Sequence, residues 1–324
     1  ANMAIYEQTS ILHNQFSGRA AIIVSPGPSL EKNIELLKDV KGRAVIICVL
    51  HALRDLQISG VDPDIVVHVD PRDLKTVNSK KNGKVTSLWN QWIDGNDLSK
   101  VNLVVSNYQR PNMFEVSAKN VIWMSSGLPI GELLPIDVFD YERVGGSVSH
   151  AAFDLAVELG CTSIALVGQD LAFSKDGANY TKHADLGEIS KDKRAEKLKA
   201  YGDDVETEGW NNQKVISNNT FIAFGKAFES FARELNGKDI ALFNCSEGGL
   251  YIEGFEHCKL STFIENQVST GIEKSVADLL IKCKSTPEQN QYRIKETIKF
   301  IMKNRILAQE IRDLIKNLFR IVEK

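Results

Sequence analysis

Cysteine is scarce in this chain and shows no pairing pattern. The 324 residues carry five, Cys48, Cys161, Cys245, Cys258 and Cys283, an odd number without a CxxC pair. A disulfide framework or a structural zinc site therefore has no support. Cys48 sits in an apolar run and reads as a small hydrophobe, and a reducing, cytoplasmic setting is the simplest expectation. No apolar run approaches the ~18 residues of a membrane span. Ala1–Ser10 shows no basic stretch followed by an apolar block, so no secretory leader is expected. Charge of neither sign dominates: 39 Lys and Arg stand against 42 Asp and Glu, a net of −3. That balance excludes bulk electrostatic binding of nucleic acid. HExxH, clustered His and Cys, acidic pairs at metal spacing and GxSxG are all missing. Metalloprotease, zinc hydrolase and α/β-hydrolase chemistry are left without support. There is no internal repeat and no low-complexity tract.

What is present is an ordinary globular composition, 43% hydrophobic and 25% charged, long enough for one large domain or two of ordinary size. Short β-branched runs alternate with longer helical patterns. Strands are predicted at Ala20–Val24, Ala44–Val49, Ile65–Val69, Leu103–Ser106, Val121–Met124, Ser163–Val167 and Ile240–Phe243. These runs are continuously apolar rather than alternating, as expected of parallel strands buried on both faces. Helices are predicted near Leu30–Leu37, Val148–Leu159 and Asn219–Leu235. In the second of these, Ala152, Leu155, Ala156 and Leu159 form one apolar stripe that Gly160 stops. The rhythm predicts an α/β fold built on an open, mostly parallel sheet.

Two stretches depart from that rhythm. Asp170–Gln213 is polar, with a Lys-, Glu- and Ala-rich middle at Lys191–Lys199, and reads as a long excursion of the lid or binding-loop kind or as a solvated insertion. From about Gln267 strand signals stop. A short helix at Ile272–Ile281 and a long one at Tyr292–Val322 are predicted, separated by a breaker near Ser285–Pro287. Ile298, Ile301, Ile306, Ile311, Leu314, Leu318 and Ile321 are its expected buried positions. The division expected is a helical lead-in at 1–17, a main domain at 18–265 with a polar insertion at 174–213, and a helical region at 266–324.

Five loops follow predicted strands and fall at one sheet edge. In Val24-Ser-Pro-Gly-Pro-Ser-Leu30 a tight turn leads into a helix that Ser29 can cap, aiming N–H groups and a positive dipole end at the strand terminus. Phosphate is the natural guest, although neither GxGxxG nor Walker A is present. In His68-Val-Asp70-Pro-Arg72, Asp70 can accept from a ribose hydroxyl or simply begin a turn. In Gly145-Gly-Ser-Val-Ser-His150, Gly146 and Ser147 open a helix and suit a second anion or nucleotide contact, while His150 is assigned a packing role. Gly168-Gln-Asp-Leu-Ala-Phe173 brings Gln169 and Asp170 to the same edge, followed by Tyr180 and His183. His183 is the one histidine of the polar excursion and titrates near neutrality, as a general base must. In Asn244-Cys-Ser-Glu-Gly-Gly249, Ser246 and Glu247 could close over a base, sugar or acceptor. Each loop alone has a plain alternative as a βα turn; together they predict a nucleotide-type cleft.

As an ordered set these stretches resemble a known family. GPSL at Gly27–Leu30, VDPDIVVHVDP at Val61–Pro71, GGSVSHAAFDLAVELG at Gly145–Gly160, GQDLAF at Gly168–Phe173 with Tyr180 and His183, and NCSEGG at Asn244–Gly249 look like the central domain of the motility-associated-factor (Maf) proteins of flagellated bacteria. The resemblance covers roughly Gly18 to Phe263. It implies a Rossmann-like domain similar to bacterial sialyltransferases, here with a C-terminal helical appendage. It further implies transfer of a nonulosonic acid (pseudaminic or legionaminic) from its CMP-activated form to Ser or Thr of flagellin. Carried over by position, Gly27, Pro28 and Ser29 would contact the nucleotide and Gly146 and Ser147 would line the CMP site. Gln169, Asp170 and Tyr180 would face the donor, with Asp170 and His183 as the catalytic pair. No cofactor is expected beyond the CMP-sugar donor. Flagellin is the expected acceptor, no nucleic acid or membrane span is expected, and the C-terminal helices offer a route to a homo-oligomer. Family members carry a substantial domain before the GPSL strand, where this chain has only Ala1–Ser17. A rival within the wider superfamily is a hydroxymethylpterin pyrophosphokinase using ATP and magnesium. A third reading is a non-catalytic module that binds a nucleotide sugar or flagellin.

Overall fold

The structure, a computed structural model, describes residues 6–81, 84–125, 145–174, 178–181, 184, 205–269, 271, 275–283 and 286–322. The strands are β1 (Glu7–Gln8), β2 (Ala20–Val24), β3 (Val45–Val49), β4 (Ile65–His68), β5 (Asn78–Lys81), β6 (Lys84–Ser87), β7 (Asn102–Ser106), β8 (Asn120–Met124), β9 (Ser163–Val167), β10 (Val205–Glu208), β11 (Lys214–Ser217), β12 (Ala241–Asn244) and β13 (Glu256–His257). The α-helices are α1 (Leu30–Asn33), α2 (Leu53–Ile58), α3 (Leu88–Trp92), α4 (Val148–Glu158), α5 (Asn219–Leu235), α6 (Leu260–Gln267), α7 (Val276–Cys283) and α8 (Pro287–Val322).

Among the described residues nine strands form one sheet, in the order β1-β8-β7-β4-β3-β2-β9-β12-β13. Every pairing within it is parallel. All seven predicted strands are present to within a residue at either end. Their continuous apolarity has the expected cause, since side chains alternate across a strand and both faces are covered. Along β2, Ala20, Ile22 and Val24 join the core beneath Leu30, Leu37, Leu53 and Leu56. Ala21 and Ile23 face the opposite core, with Phe153, Leu155, Ala156 and Phe228 of α4 and α5. Full burial of one such Ile or Phe contributes roughly 1.5–3 kcal/mol, so two stocked faces fix the register of the central strands.

The chain lays β3, β4, β7 and β8 outward on one side of β2, then returns to place β9 on its other side. The order reverses between β2 and β9. At such a switch point the loops leaving the strand ends diverge and open a crevice.

Some expectations are revised. The lead-in at 1–17 is not simply helical: β1 adds an edge strand beside β8, with Glu7 and Gln8 opposite Ile122 and Trp123, before a 3-10 turn at Thr9–Leu12. The polar excursion ends in an antiparallel hairpin of β10 and β11. Lys191–Lys199 lies outside the described residues. The long helix exists as α8, but its expected buried positions are not all buried. Ile298, Ile301 and Ile306 are 47%, 52% and 61% exposed. Among its described side chains, those at its beginning meet the body, through buried Thr297 and an Arg293–Glu7 ion pair of 3.7 Å. Apolar periodicity shows that a helix has a stripe, not that anything covers it. The side chains of Ile311, Leu314, Leu318 and Ile321 lie outside the described set.

Candidate functional site

A cleft opens at the carboxyl ends of β2, β3, β4 and β9, with a cavity volume of about 260 Å³. It sits at the switch point. Gly27, Asp70, Gly146, Ser147, Gln169, Asp170 and Tyr180 all line it, so four of the five loops singled out in the sequence converge there. The polar end lies between the turn after β2 and the start of α4. Ser147 caps α4: its Oγ accepts from the Ser149 N–H, and His150 Nδ1 accepts from the Ser147 N–H at 3.1 Å. His150 Nε2 therefore carries the proton and donates to the Phe224 carbonyl at 3.0 Å. Its ring packs against Phe224, Phe228 and Phe231. Burial lowers its pKa to about 4, against the hydrogen bonds to Phe224 and Gly145. His150 is a packing residue, as assigned, that also orders the helix start.

Asp170 is the hub of this end. Its carboxylate accepts from Ser29 Oγ at 2.6 Å and from the Ser29 N–H at 3.2 Å. Its carbonyl accepts from the Leu250 N–H at 2.7 Å. Three loops are thus tied to one residue. Gly27 and Gly249 are required by its bulk: a Cβ on Gly27 would strike the Asp170 carboxylate, and one on Gly249 its backbone. Gly249 also has φ +77°, which disfavours any other residue. Burial raises the Asp170 carboxyl to about 6, against the Ser29 hydrogen bonds and the Lys32 charge.

Gln169 is similarly engaged. Its Oε1 accepts from Ser25 Oγ at 2.6 Å, and its N–H donates to Ser246 Oγ at 3.0 Å. Ser246, Ser29, Pro28 and Glu247 stand outside the cleft lining. Glu247 instead accepts from the first N–H of α6, at Leu260, at 3.1 Å. The sequence placed these residues near the correct edge, but the structure uses Ser29, Ser246 and Glu247 to fasten loops to one another.

The other end is aromatic and is built mainly from residues that no sequence motif marks. His51 follows β3, with ring centroids 4.8 Å from Trp92 and 4.6 Å from Tyr180. Its Nε2 donates to the Ala184 carbonyl at 2.5 Å. Burial lowers its pKa to about 4, with the Ala184 bond opposing and Arg72 assisting. Thr181 adds two ties, Oγ1 to Asp55 at 2.6 Å and N–H to the Pro26 carbonyl at 2.8 Å. The start of the polar excursion is thereby strapped beside the cleft. Phe221 and Phe224 add apolar lining on the α5 side, with Phe224 against His150 at the start of α4. His68, at the end of β4, contributes a buried imidazole, likewise lowered to about 4 by burial, with Asp70 opposing and Arg72 and His51 assisting. Burial alone would raise the Asp70 carboxyl, but hydrogen bonds and charge from Arg72, at 2.7 Å to Nε, hold it below its ordinary value. Trp92, Phe221, Phe224 and His51 lie in no motif; only their arrival from separate elements at one edge could have revealed them. His183 lies outside the described residues.

Asp70 is engaged by Arg72 and Asp170 by Ser29, and among the described residues no group of three His, Cys, Asp or Glu could hold a metal ion. No described helix is long and apolar enough to cross a membrane.

The family model described as "6-hydroxymethylpterin diphosphokinase MptE-like" matches residues 1–176 of the 324. No curated protein matches the chain. Among solved structures, a Maf glycosyltransferase from Magnetospirillum magneticum AMB-1 superimposes with a TM-score of 0.58 and 18% identity. The match covers 93% of this chain and 44% of that one. It is a likeness of fold, and the chain spans less than half the length of that structure.

Proposed function

The chain belongs to the MptE-like family, and within that frame we propose that it is a glycosyltransferase using a nucleotide-activated sugar. The reaction we assign is transfer of a nonulosonic acid from its CMP-activated form to a Ser or Thr hydroxyl of flagellin. The observation that carries this reading is a cleft with one end made of a tight turn and a helix start and the other end aromatic. Gly27 and the capped start of α4 at Gly146–Ser147 form the first, and His51, Trp92 and Tyr180 the second. A nucleotide has the same two ends. The likeness to a glycosyltransferase fold also runs over 93% of the chain, past the limit of the family match at residue 176.

In this mechanism the acceptor oxygen attacks the anomeric carbon as a base removes its proton. The bond from that carbon to the phosphate oxygen breaks, and its electron pair leaves with CMP. The positive end of the α4 dipole stabilises the developing charge, while the Ser147 and Ser149 N–H groups are held by His150 Nδ1 and Ser147 Oγ. Asp170 positions the turn after β2 through Ser29, and His183 is the proposed base. No step runs through a metal or other cofactor. We place the reaction in the cytoplasm, where the free thiols of Cys48, Cys161, Cys245 and Cys258 would persist.

The test is transfer from CMP-activated pseudaminic or legionaminic acid to purified flagellin, with CMP release as the readout. Metal-independent release that requires flagellin supports the reading. A second reading, diphosphate transfer from ATP to hydroxymethylpterin, is favoured by the family match itself. Magnesium-dependent AMP release with the pterin, and no CMP release with flagellin, would replace the first reading by the second.

A further inference from the structure

Many of the polar groups that line the cleft are bonded to other parts of the protein. Ser25, Gln169 and Asp170 bond to one another's loops, Ser147 caps α4, Asp70 holds Arg72, and His51 Nε2 is committed to Ala184. His68 differs. It is 2% exposed, it lines the cleft, and its Nε2 is buried without a hydrogen-bond partner. An unmet buried nitrogen is costly, and in a binding cleft the group that meets it is commonly the ligand. Gln109 donates to the carbonyls of His68 and Asp70, so the backbone at this point is fixed while the buried imidazole Nε2 keeps no partner.

Position says which part of a ligand would meet it. His68 ends β4, two strands from β2, or about 10 Å along the edge from the Gly27 turn at ordinary strand spacing. That is about the reach from a phosphate to the far edge of its base. His68 also belongs to the aromatic end, with its ring edge-on to Trp92 at 6.2 Å and Trp92 in turn against His51.

We infer that His68 is a specificity residue whose Nε2 hydrogen-bonds the polar edge of a planar nitrogen heterocycle bound in the aromatic end of the cleft. The inference rests on the reading of the cleft as a nucleotide-type site. Cytosine, adenine and a pterin share this chemistry, and separate titrations distinguish them.

The test is calorimetric titration of the intact chain with cytidine monophosphate, ATP, hydroxymethylpterin and, as a probe without a heterocycle, ribose phosphate. His68→Phe keeps the ring volume and removes both nitrogens. It should weaken the bound heterocycle about ten-fold and leave ribose phosphate within about two-fold. His68→Gln restores a polar group and should recover most of the loss. Nitrogen NMR of the unaltered chain gives a check independent of any variant: the His68 Nε2 resonance should move on addition of the heterocycle and stay in place with ribose phosphate. Equal affinities for His68→Phe and the unaltered chain, an equal loss on ribose phosphate, or a stationary resonance would overturn the inference while leaving the nucleotide reading standing. Failure of the unaltered chain to bind any heterocyclic probe would remove the nucleotide reading, and this inference with it.

Discussion

The two ends of the cleft are built in opposite ways. At the Gly27–Asp170 end the polar side chains are bonded mainly to neighbouring loops of the protein, and Asp170 alone joins three of them. At the His68–Trp92 end the surfaces are aromatic, and one buried nitrogen is unmet. The first end makes its shape rigid and offers the ligand mostly backbone and a helix start. The second leaves its hydrogen bonding to be completed from outside. On the proposed reading, the rigid end meets a phosphate common to many compounds, and the unmet nitrogen meets the heterocycle that distinguishes them.

This contrast can be broken first at Asp170. Gly249→Ala drives a methyl into the Asp170 backbone from a position with φ +77°. It should lower stability by about 3 kcal/mol or more, since overpacking against fixed backbone adds to the conformational penalty. Gly42→Ala, at φ +76° with open space around the Cβ, should lose only about 1 kcal/mol. Urea unfolding of both variants measures the difference, and equal losses would show that the backbone at Asp170 yields to a methyl.

Acid sharpens the comparison. The pKa values of His51, His68 and His150 are lowered from 6.5 to about 4 in the folded chain. Between those values the unfolded chain binds more protons, so each histidine's contribution, on the order of 3 kcal/mol, is lost as pH falls from 6.5 to 4. Asp170 acts in the opposite sense. Its carboxyl is raised from 3.8 to about 6, so its contribution is present below 3.8 and is lost as pH rises through 6. Three histidines outweigh one carboxyl, and urea midpoints should fall on acidification. Asp170→Asn should make that fall steeper between pH 6 and 4, because it removes the opposing group. An unchanged slope would mean that Asp170 does not titrate as its burial requires.

The smallest effect belongs to the helix start. Ser147→Ala removes the Oγ that accepts from Ser149 and should cost about 1 kcal/mol in thermal or urea unfolding. A loss well below that would mean that the His150 bond to the Ser147 N–H holds α4 alone.

The same contrast explains what could be read beforehand. Continuous apolar runs such as Ala20–Val24 and Ser163–Val167 specify parallel strands because burial on both faces leaves no alternative pattern. The edge strands Glu7–Gln8 and Glu256–His257 are too short to carry one. Gly27, Gly146 and Asp170 were visible as loop residues at strand ends, because turns and helix caps have local chemistry. Whether Ser29 or Glu247 meets a ligand or a neighbouring loop depends on residues 141 and 13 positions away, which no local pattern records. Trp92 of α3 and His51 after β3 meet in the cleft only because separate elements bring them together. The exposed Ile298, Ile301 and Ile306 show the converse, a pattern legible in sequence without the partner that burial would need.

Amide hydrogen exchange with and without cytidine monophosphate locates the binding site on the sheet edge. Binding at the switch point predicts new protection at residues 25–27, 49–51, 145–149 and 168–171, and none along the β1–β8 groove lined by Tyr6, Phe114 and Asn120. Protection confined to that groove, or none at any of these segments, would contradict it.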